Sequence, residues 1–307
     1  MKKSFFNKVI NSLYYIMVPA LSYAIWYLIN YFVTTVSSYI SLLSVDKSQL
    51  SADNLYNLEI EIYNKNVSLV YTIASIIAIF IFFLIYKRFK VNALAAISFA
   101  KVKFGVLALV FAAGVLLNVF SVSFVEEMNN IIPQSWIDAN QESVESFQQG
   151  SLIFQFLTVM VFAPIVEELL FRGILYTSLK NAAKQFCKNA DTNKIVIIVS
   201  SIITSFLFGF IHGNILQGIY TFILSFVMIY AVEKTKSLIA SIVIHMGFNM
   251  SALFTFFLYG NVSYLVLCIV SILLSIGAMI LMTLIVDKGG KQSVISCENK
   301  REDVNER

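Results

Sequence analysis

Apolar stretches long enough to cross a hydrocarbon core, which takes roughly 20 residues each, recur along almost the whole of this chain. They fall at 9–36, 67–86, 104–124, 152–178, 195–211, 215–232, 238–259 and 263–286. That recurrence predicts an all-α integral membrane protein, a bundle of about eight transmembrane helices. Composition points the same way: 58% hydrophobic and 13% charged residues, against roughly 45–50% and about 25% in soluble domains, leave too little polar surface for a water-soluble globule. The first run is too long for the apolar region of a signal peptide, and no small-residue cleavage site follows it. Lys2 and Lys3 therefore flank a retained anchor.

Basic residues collect in cytoplasmic loops, and here they alternate from loop to loop. Nineteen of the 22 Lys and Arg lie before the first helix, between the second and third, between the fourth and fifth, after the sixth, and in the tail. The intervening loops hold only Lys47 and Lys65, beside the acids Asp46, Asp53, Glu59, Glu61, Glu126, Glu127, Asp138, Glu142 and Glu145. This arrangement predicts a multi-pass protein of the cell membrane with both termini cytoplasmic. It also explains the net charge of +4, so no nucleic-acid partner is read from it; membrane lipids are the expected surroundings. Cys187 and Cys297 fall on the cytoplasmic side and Cys268 within the last helix, which leaves no disulfide pair in an oxidising compartment. The stretch from Glu126 to Gly150 and the tail after Val286 are polar enough to be irregular or mobile. One membrane domain, 1–286, followed by a polar cytoplasmic tail, 287–307, is the simplest partition.

The remaining arginine, Arg172, lies inside the fourth helix with Glu167 and Glu168. Each charge near the bilayer centre costs roughly 2.5–3.5 kcal/mol even on lenient scales, so such groups face a bundle interior and mark function. Glu168 and Arg172 are four apart, stack on one helix face and suit a structural ion pair. Glu167 points about 100° away from Glu168. A desolvated carboxylate becomes a useful base near neutral pH when something polar stands opposite. Pro164, three residues earlier, removes a helix hydrogen bond and frees a carbonyl, which favours a kinked, partly wet pocket.

The chain has two histidines. His212 ends the fifth helix, four residues after Phe208, with Gly209 and Gly213 beside it leaving room for a substrate backbone or water. His245 lies in the seventh helix, with Asn249 four residues on. A single histidine at a helix end is more often a core or interfacial residue, and a His–Asn pair also serves as hydrogen-bonding glue between membrane helices. Two histidines, an amide and Glu167 within apolar helices are nonetheless what a general base, a proton donor and an oxyanion donor require.

These residues resemble the CAAX prenyl protease and bacteriocin-processing family (CPBP, also called Abi). Its first motif, two glutamates with an arginine four after the second, matches Glu167, Glu168 and Arg172 in the string Ala163-Pro164-Ile165-Val166-Glu167-Glu168-Leu169-Leu170-Phe171-Arg172-Gly173. Its second, a Phe four before a His, matches Phe208 and His212. The third, a His four before an Asn, matches His245 and Asn249. The ordered trio makes 163–250 the motif core, and no motif position is substituted. The resemblance implies an intramembrane endopeptidase, a metal-independent glutamate protease without cofactor, in which Glu167 activates a water with His212. It further implies that His245 and Asn249 stabilise the oxyanion and that Glu168 with Arg172 is chiefly structural; Pro164 and Phe208 are read as shaping the pocket. The implied substrate is a prenylated CAAX-type protein or a leader or bacteriocin-type peptide. The expectation is a polar cavity enclosed by the fourth, fifth and seventh helices.

Two other readings use the same residues. Glu167, His212 and His245 would supply a His₂Glu zinc set, although the one-helix His-Glu-x-x-His sequence is absent and Asn249 is a poor zinc ligand. A proton-coupled carrier, or a non-catalytic immunity or scaffold protein, would also keep buried ionisable groups, but no internal pseudo-symmetry of the kind carriers show is visible. Serine and aspartyl intramembrane proteases fit poorly, because the predicted spans contain no Asp and the two histidines already match another scheme.

Overall fold

A computed structural model describes residues 2–43, 51–89, 102–147, 150–186, 190–251 and 263–305. Every regular element among them is helical. In order these are α1 (Lys2–Leu43), α2 (Ala52–Phe89), α3 (Phe104–Glu127), α4 (Gln134–Phe147), α5 (Leu152–Lys184), α6 (Ala190–Phe210), α7 (Ile215–Thr235), α8 (Leu238–Ser251) and α9 (Tyr264–Asn305). Seven helices among the described residues are long and apolar enough to cross a membrane: all but α4 and α8. The eighth expected span, 238–259, is apolar and helical through Ser251, and its remainder lies outside the described residues. All-α membrane architecture is therefore what the sequence folds into, with seven such helices among the described residues.

Two expectations of irregular structure are corrected. The stretch between α3 and α5 contains α4, a mostly polar helix whose Ile137 is buried while Asp138, Glu142 and Glu145 are exposed. After Val286 the chain stays helical to Asn305.

The chain divides into two units. One comprises Met1–Ser98 and Met128–Phe226, the other Phe99–Glu127 and Val227–Arg307. Within the first, α5 packs against α1, α2 and α6. Residues 168–174 of α5 are all buried, so two consecutive turns are enclosed on every side. Val33 of α1 meets Val70 and Ala74 of α2, with Trp26 and Ile29 against them. Where α2 meets α5, the Thr158 hydroxyl donates to the Ser68 carbonyl at 2.8 Å and lies 2.6 Å from the Thr72 hydroxyl. Such buried polar contacts tie membrane helices together where the hydrophobic effect cannot.

The faces of α6 are inverted relative to a water-soluble helix. Ser200, Ser201, Thr204 and Ser205 are buried, whereas Ile198, Ile202, Phe206 and Phe210 are exposed. Small hydroxyl residues let the backbone approach its neighbours and large apolar ones face lipid.

In the second unit α3 packs against α8 and α9. Glycines set the α3–α8 approach: a Cβ on Gly114 would collide with the Ile244 carbonyl, and one on Gly247 would lie 2.5 Å from the Phe111 carbonyl oxygen. The α7–α8 connection is short, with Lys236 in the left-handed region (φ 54°) and the Ser237 hydroxyl accepting from the Ile239 amide at 3.3 Å. Tyr230 and Thr283 hydroxyls join α7 to α9 at 2.8 Å.

The glycine contacts are testable by a matched pair. Gly114→Ala forces α3 off α8 and destabilises by about 1–3 kcal/mol, the usual cost of overpacking, whereas Gly277, with nothing within 4 Å of a built Cβ, accepts alanine without loss. Thermal unfolding of the two purified variants checks this; equal melting temperatures would contradict the close approach.

Candidate active site

Six of the singled-out residues lie in the first unit. The α5 helix that carries Pro164, Glu167, Glu168 and Arg172 is not uniformly α. Its segments Leu157–Phe162 and Leu169–Tyr176 are π-helical, and the intervening α-helical Ala163–Glu168 holds the two glutamates. In a π turn the hydrogen bond reaches back five residues instead of four, as the Ala163 amide does to the Thr158 carbonyl. Pro164 sits in the first turn of the α segment, where its missing N–H is best tolerated. The disturbance expected of this proline is thus taken up by a widened turn before the glutamates.

Glu168 and Arg172 are 0% and 1% exposed, and their side chains form an ion pair at 2.7 Å. The Arg172 guanidinium also lies over the Phe208 ring, 4.2 Å from its centroid. Phe171 meets the same ring edge-on at 5.0 Å. Arg172 is therefore held between a carboxylate and an aromatic face, an arrangement suited to a weakly hydrated planar cation. Glu167, on the adjoining face, is only half-buried.

Hydropathy alone puts His212 near the far end of its helix while Glu167 is near the middle of its own. The packing accounts for the difference. The two helices are close in sequence, α5 ending at Lys184 and α6 starting at Ala190, and they run antiparallel, in contact from the Thr177–Lys184 end to the π segment. Arg172 contacts Phe208. One turn back from Arg172 is Glu168 and one turn on from Phe208 is His212, and in an antiparallel pair these steps go the same way. The His212 turn is accordingly level with the glutamates, because α6 (Ala190–Phe210) is much shorter than α5.

His212 is half-buried in the turn after α6, and its ring packs edge-on against Phe208 at 5.0 Å. Its Nδ1 lies 2.6 Å from the Phe208 carbonyl oxygen. A carbonyl only accepts, so Nδ1 carries the hydrogen, and Nε2 is the basic nitrogen of the neutral ring. The His212 amide instead donates to the Gly209 carbonyl at 3.2 Å, leaving the Phe208 carbonyl for the imidazole to cap. Gly209 does not leave the expected room for a substrate backbone: a Cβ there would lie 2.5 Å from the Gly218 carbonyl oxygen. Gly213 does adjoin open space, and its φ of +77° is the reason for glycine at that position.

His245 and Asn249 lie in the second unit, on α8. His245 is 4% exposed and Asn249 half-buried. Gly247, two residues from each, seats this turn against Phe111 of α3.

A cavity of about 80 Å³ of mixed polar and apolar lining lies between α2 and the start of α5, bordered by residues that include Tyr63, Val67, Ser68, Tyr71, Thr158 and Val159. It is away from the glutamate turn. Among the described residues no three His, Cys, Asp or Glu side chains group as a metal site.

Residues 149–251 match the family model described as type II CAAX prenyl endopeptidase, Rce1-like. Over that segment the chain is similar to the family that its three motifs resemble. The matched segment contains every residue singled out from the sequence, from Pro164 to Asn249. No curated protein and no solved structure matches the chain.

Some features of this segment were not foreseen. Asn214 caps α7, its Oδ1 accepting from the Gln217 amide at 2.7 Å, while the Gln217 Oε1 accepts from the Asn214 amide group at 2.8 Å and the Ser143 hydroxyl at 3.0 Å. The Asn-x-x-Gln spacing is a capping-box signal that the sequence carries openly. Ser143 ties α4 to the same cap, and no local signal announces that contact.

The ion pair gives a prediction. Arg172→Met or Glu168→Gln leaves one charge buried alone and destabilises the protein by roughly 3–5 kcal/mol, while the double variant recovers much of the loss. Thermal melts of the three proteins check it. Additive losses in the double variant would show that the two charges are not coupled.

Proposed function

We propose that this chain is an intramembrane endopeptidase that hydrolyses a peptide bond near the C-terminus of a prenylated, CAAX-type protein or within a leader or bacteriocin-type peptide. The observation that carries the reading is the family match over 149–251, within which all three motifs stand unsubstituted. The level placement of the glutamate turn and His212 in the first unit supports it.

Hydrolysis inside a membrane needs a held and activated water, since hydrocarbon supplies none. In this reading Glu167 and His212 hold it. The water oxygen attacks the scissile carbonyl carbon as its proton passes to Glu167, whose carboxylate is the base; the Nε2 of His212, basic in the neutral ring, accepts a hydrogen bond from the same water. His245 and Asn249 donate to the oxyanion that forms, a role that rests on the third motif. When the tetrahedral carbon collapses, the carbon–nitrogen bond breaks and the amine leaves with the proton that Glu167 had taken. Glu168 and Arg172 hold the fold of α5 and take no part in the proton transfers. The reaction proceeds without a metal ion, and the charge alternation orients both termini to the cytoplasm.

The test uses purified alanine variants assayed beside the parent on prenylated tails and leader peptides. Glu167→Ala and His212→Ala are inactive, Asn249→Ala is slower by about 10²–10³-fold, as when one oxyanion donor is removed, and all three melt as the parent does. Strong chelators leave the parent's activity intact. Parent-like cleavage by Glu167→Ala would sink the mechanism, and loss of activity to chelator would replace it by the zinc scheme. No cleavage by the parent on any substrate would favour the carrier, immunity or scaffold role.

A further inference from the structure

The sequence places Gly209 one residue after Phe208 and three before His212. On the next helix Gly218 stands where α7 passes the end of α6. A Cβ built on Gly209 lies 2.5 Å from the Gly218 carbonyl oxygen, and one built on Gly218 lies 3.2 Å from the Gly209 carbonyl oxygen. The two helices touch backbone to backbone, with no side chain between them. The Gly209 carbonyl also accepts the His212 amide at 3.2 Å, and Gly218 donates its own amide to the Asn214 carbonyl at 2.9 Å. Each glycine is thus bonded into the four-residue turn, 211–214, that it brackets.

We propose that Gly209 and Gly218 form a clasp that positions His212 for the reaction, an inference that rests on the base role given to His212 above. The clasp fixes the separation of α6 and α7, and the turn between them has little freedom once both its ends are fixed. With the turn fixed, the imidazole reaches the Phe208 carbonyl, Nδ1 is committed as donor, and Nε2 is presented as the basic nitrogen in one place. Neither glycine touches substrate; both act through His212. The close contact explains why Gly209, which the sequence suggests as space for a ligand, is filled.

The two sites differ in severity. At Gly209 an added methyl meets a backbone carbonyl at a distance real Cβ atoms do not adopt, so the helices must part. At Gly218 the neighbour needs to give by only a few tenths of an ångström. Displacement of a catalytic group by about 1 Å costs up to about 10²-fold in rate. Gly209→Ala therefore loses kcat on the order of 10²-fold with little change in KM, and Gly218→Ala loses less. Gly105→Ala, at a position with nothing within 4 Å, matches the parent.

A spectroscopic readout separates positioning from general destabilisation. With two histidines in the chain, selective ¹⁵N-histidine labelling gives two sets of ring signals, and His212→Ala assigns them. In the parent, His212 shows a protonated Nδ1 and an unprotonated Nε2; in Gly209→Ala the Nδ1 preference is lost while the melting transition remains. Parent-like kcat and an unchanged His212 spectrum in folded Gly209→Ala overturn the clasp. Where Gly209→Ala fails to fold, Gly218→Ala decides by the same two measurements. Full cleavage by His212→Ala overturns the catalytic role instead, and the ¹⁵N spectra of parent and glycine variants still decide whether the clasp sets the ring.

Discussion

The pairing of Glu168 with Arg172 is the interaction on which the first unit depends. Two full charges without water around them are stable only in contact, and the helix supplies that contact by placing them four residues apart. The pair in turn demands surroundings without lipid on any side. That demand is met by α1, α2 and α6, which enclose two whole turns of α5, and by Phe208, whose ring covers the guanidinium. Because the ring that shields Arg172 belongs to the same turn of α6 that leads to His212, the structural pair and the histidine share a neighbour. Glu167, one residue from the pair and on the adjoining face, has its height in the bundle set by the neighbouring salt bridge.

Much of this was legible in the chain. Apolar runs revealed the crossing helices because lipid leaves a backbone few alternatives, and spacings of four revealed which polar residues share a face. Harder to read was anything set by contact between distant segments. Hydropathy marks where an apolar run ends, and for α6 that end lies level with the middle of α5, so His212 looked misplaced until the packing of Arg172 on Phe208 was known. Gly209 carries no mark of its partner nine residues on. The helix α4 was hidden by its polarity, since a few apolar residues such as Trp136 and Ile137 are a weak signal in fourteen mostly hydrophilic ones. The polar tail was misjudged for the opposite reason: a sequence that lacks apolar character can still continue a helix already begun.

Glycine recurs beside both histidines for a common physical reason. Without apolar solvation to drive association, membrane helices gain cohesion by coming very close. Gly209 admits the Gly218 carbonyl three residues before His212, and Gly247 admits the Phe111 carbonyl two residues after His245. In each unit the histidine is adjacent to the point where two backbones are nearest, where a side chain's position is least free to drift. Rigid mounting of polar groups and tight helix packing are then served by the same residues.

The π turns of α5 carry a consequence for how such a helix tolerates change in length. A turn closed by a five-residue bond behaves as an α-helix with one residue added, so each segment resets the angular phase between the turns on its N-terminal side and those on its C-terminal side. The seam with α2 runs through Leu157–Phe162, where Thr158 lies; the next turns present the glutamates; from Leu169 onward the helix packs on α1 and α6. Loss of a single residue from either segment would let the helix relax to ordinary α geometry without breaking it, and would rotate one end against the other by about 100°. Every side chain would remain, and the helix would be no less helical, yet the threonine seam and the buried charges could no longer be satisfied together. Length in this segment is therefore a form of specificity, as strict as residue identity.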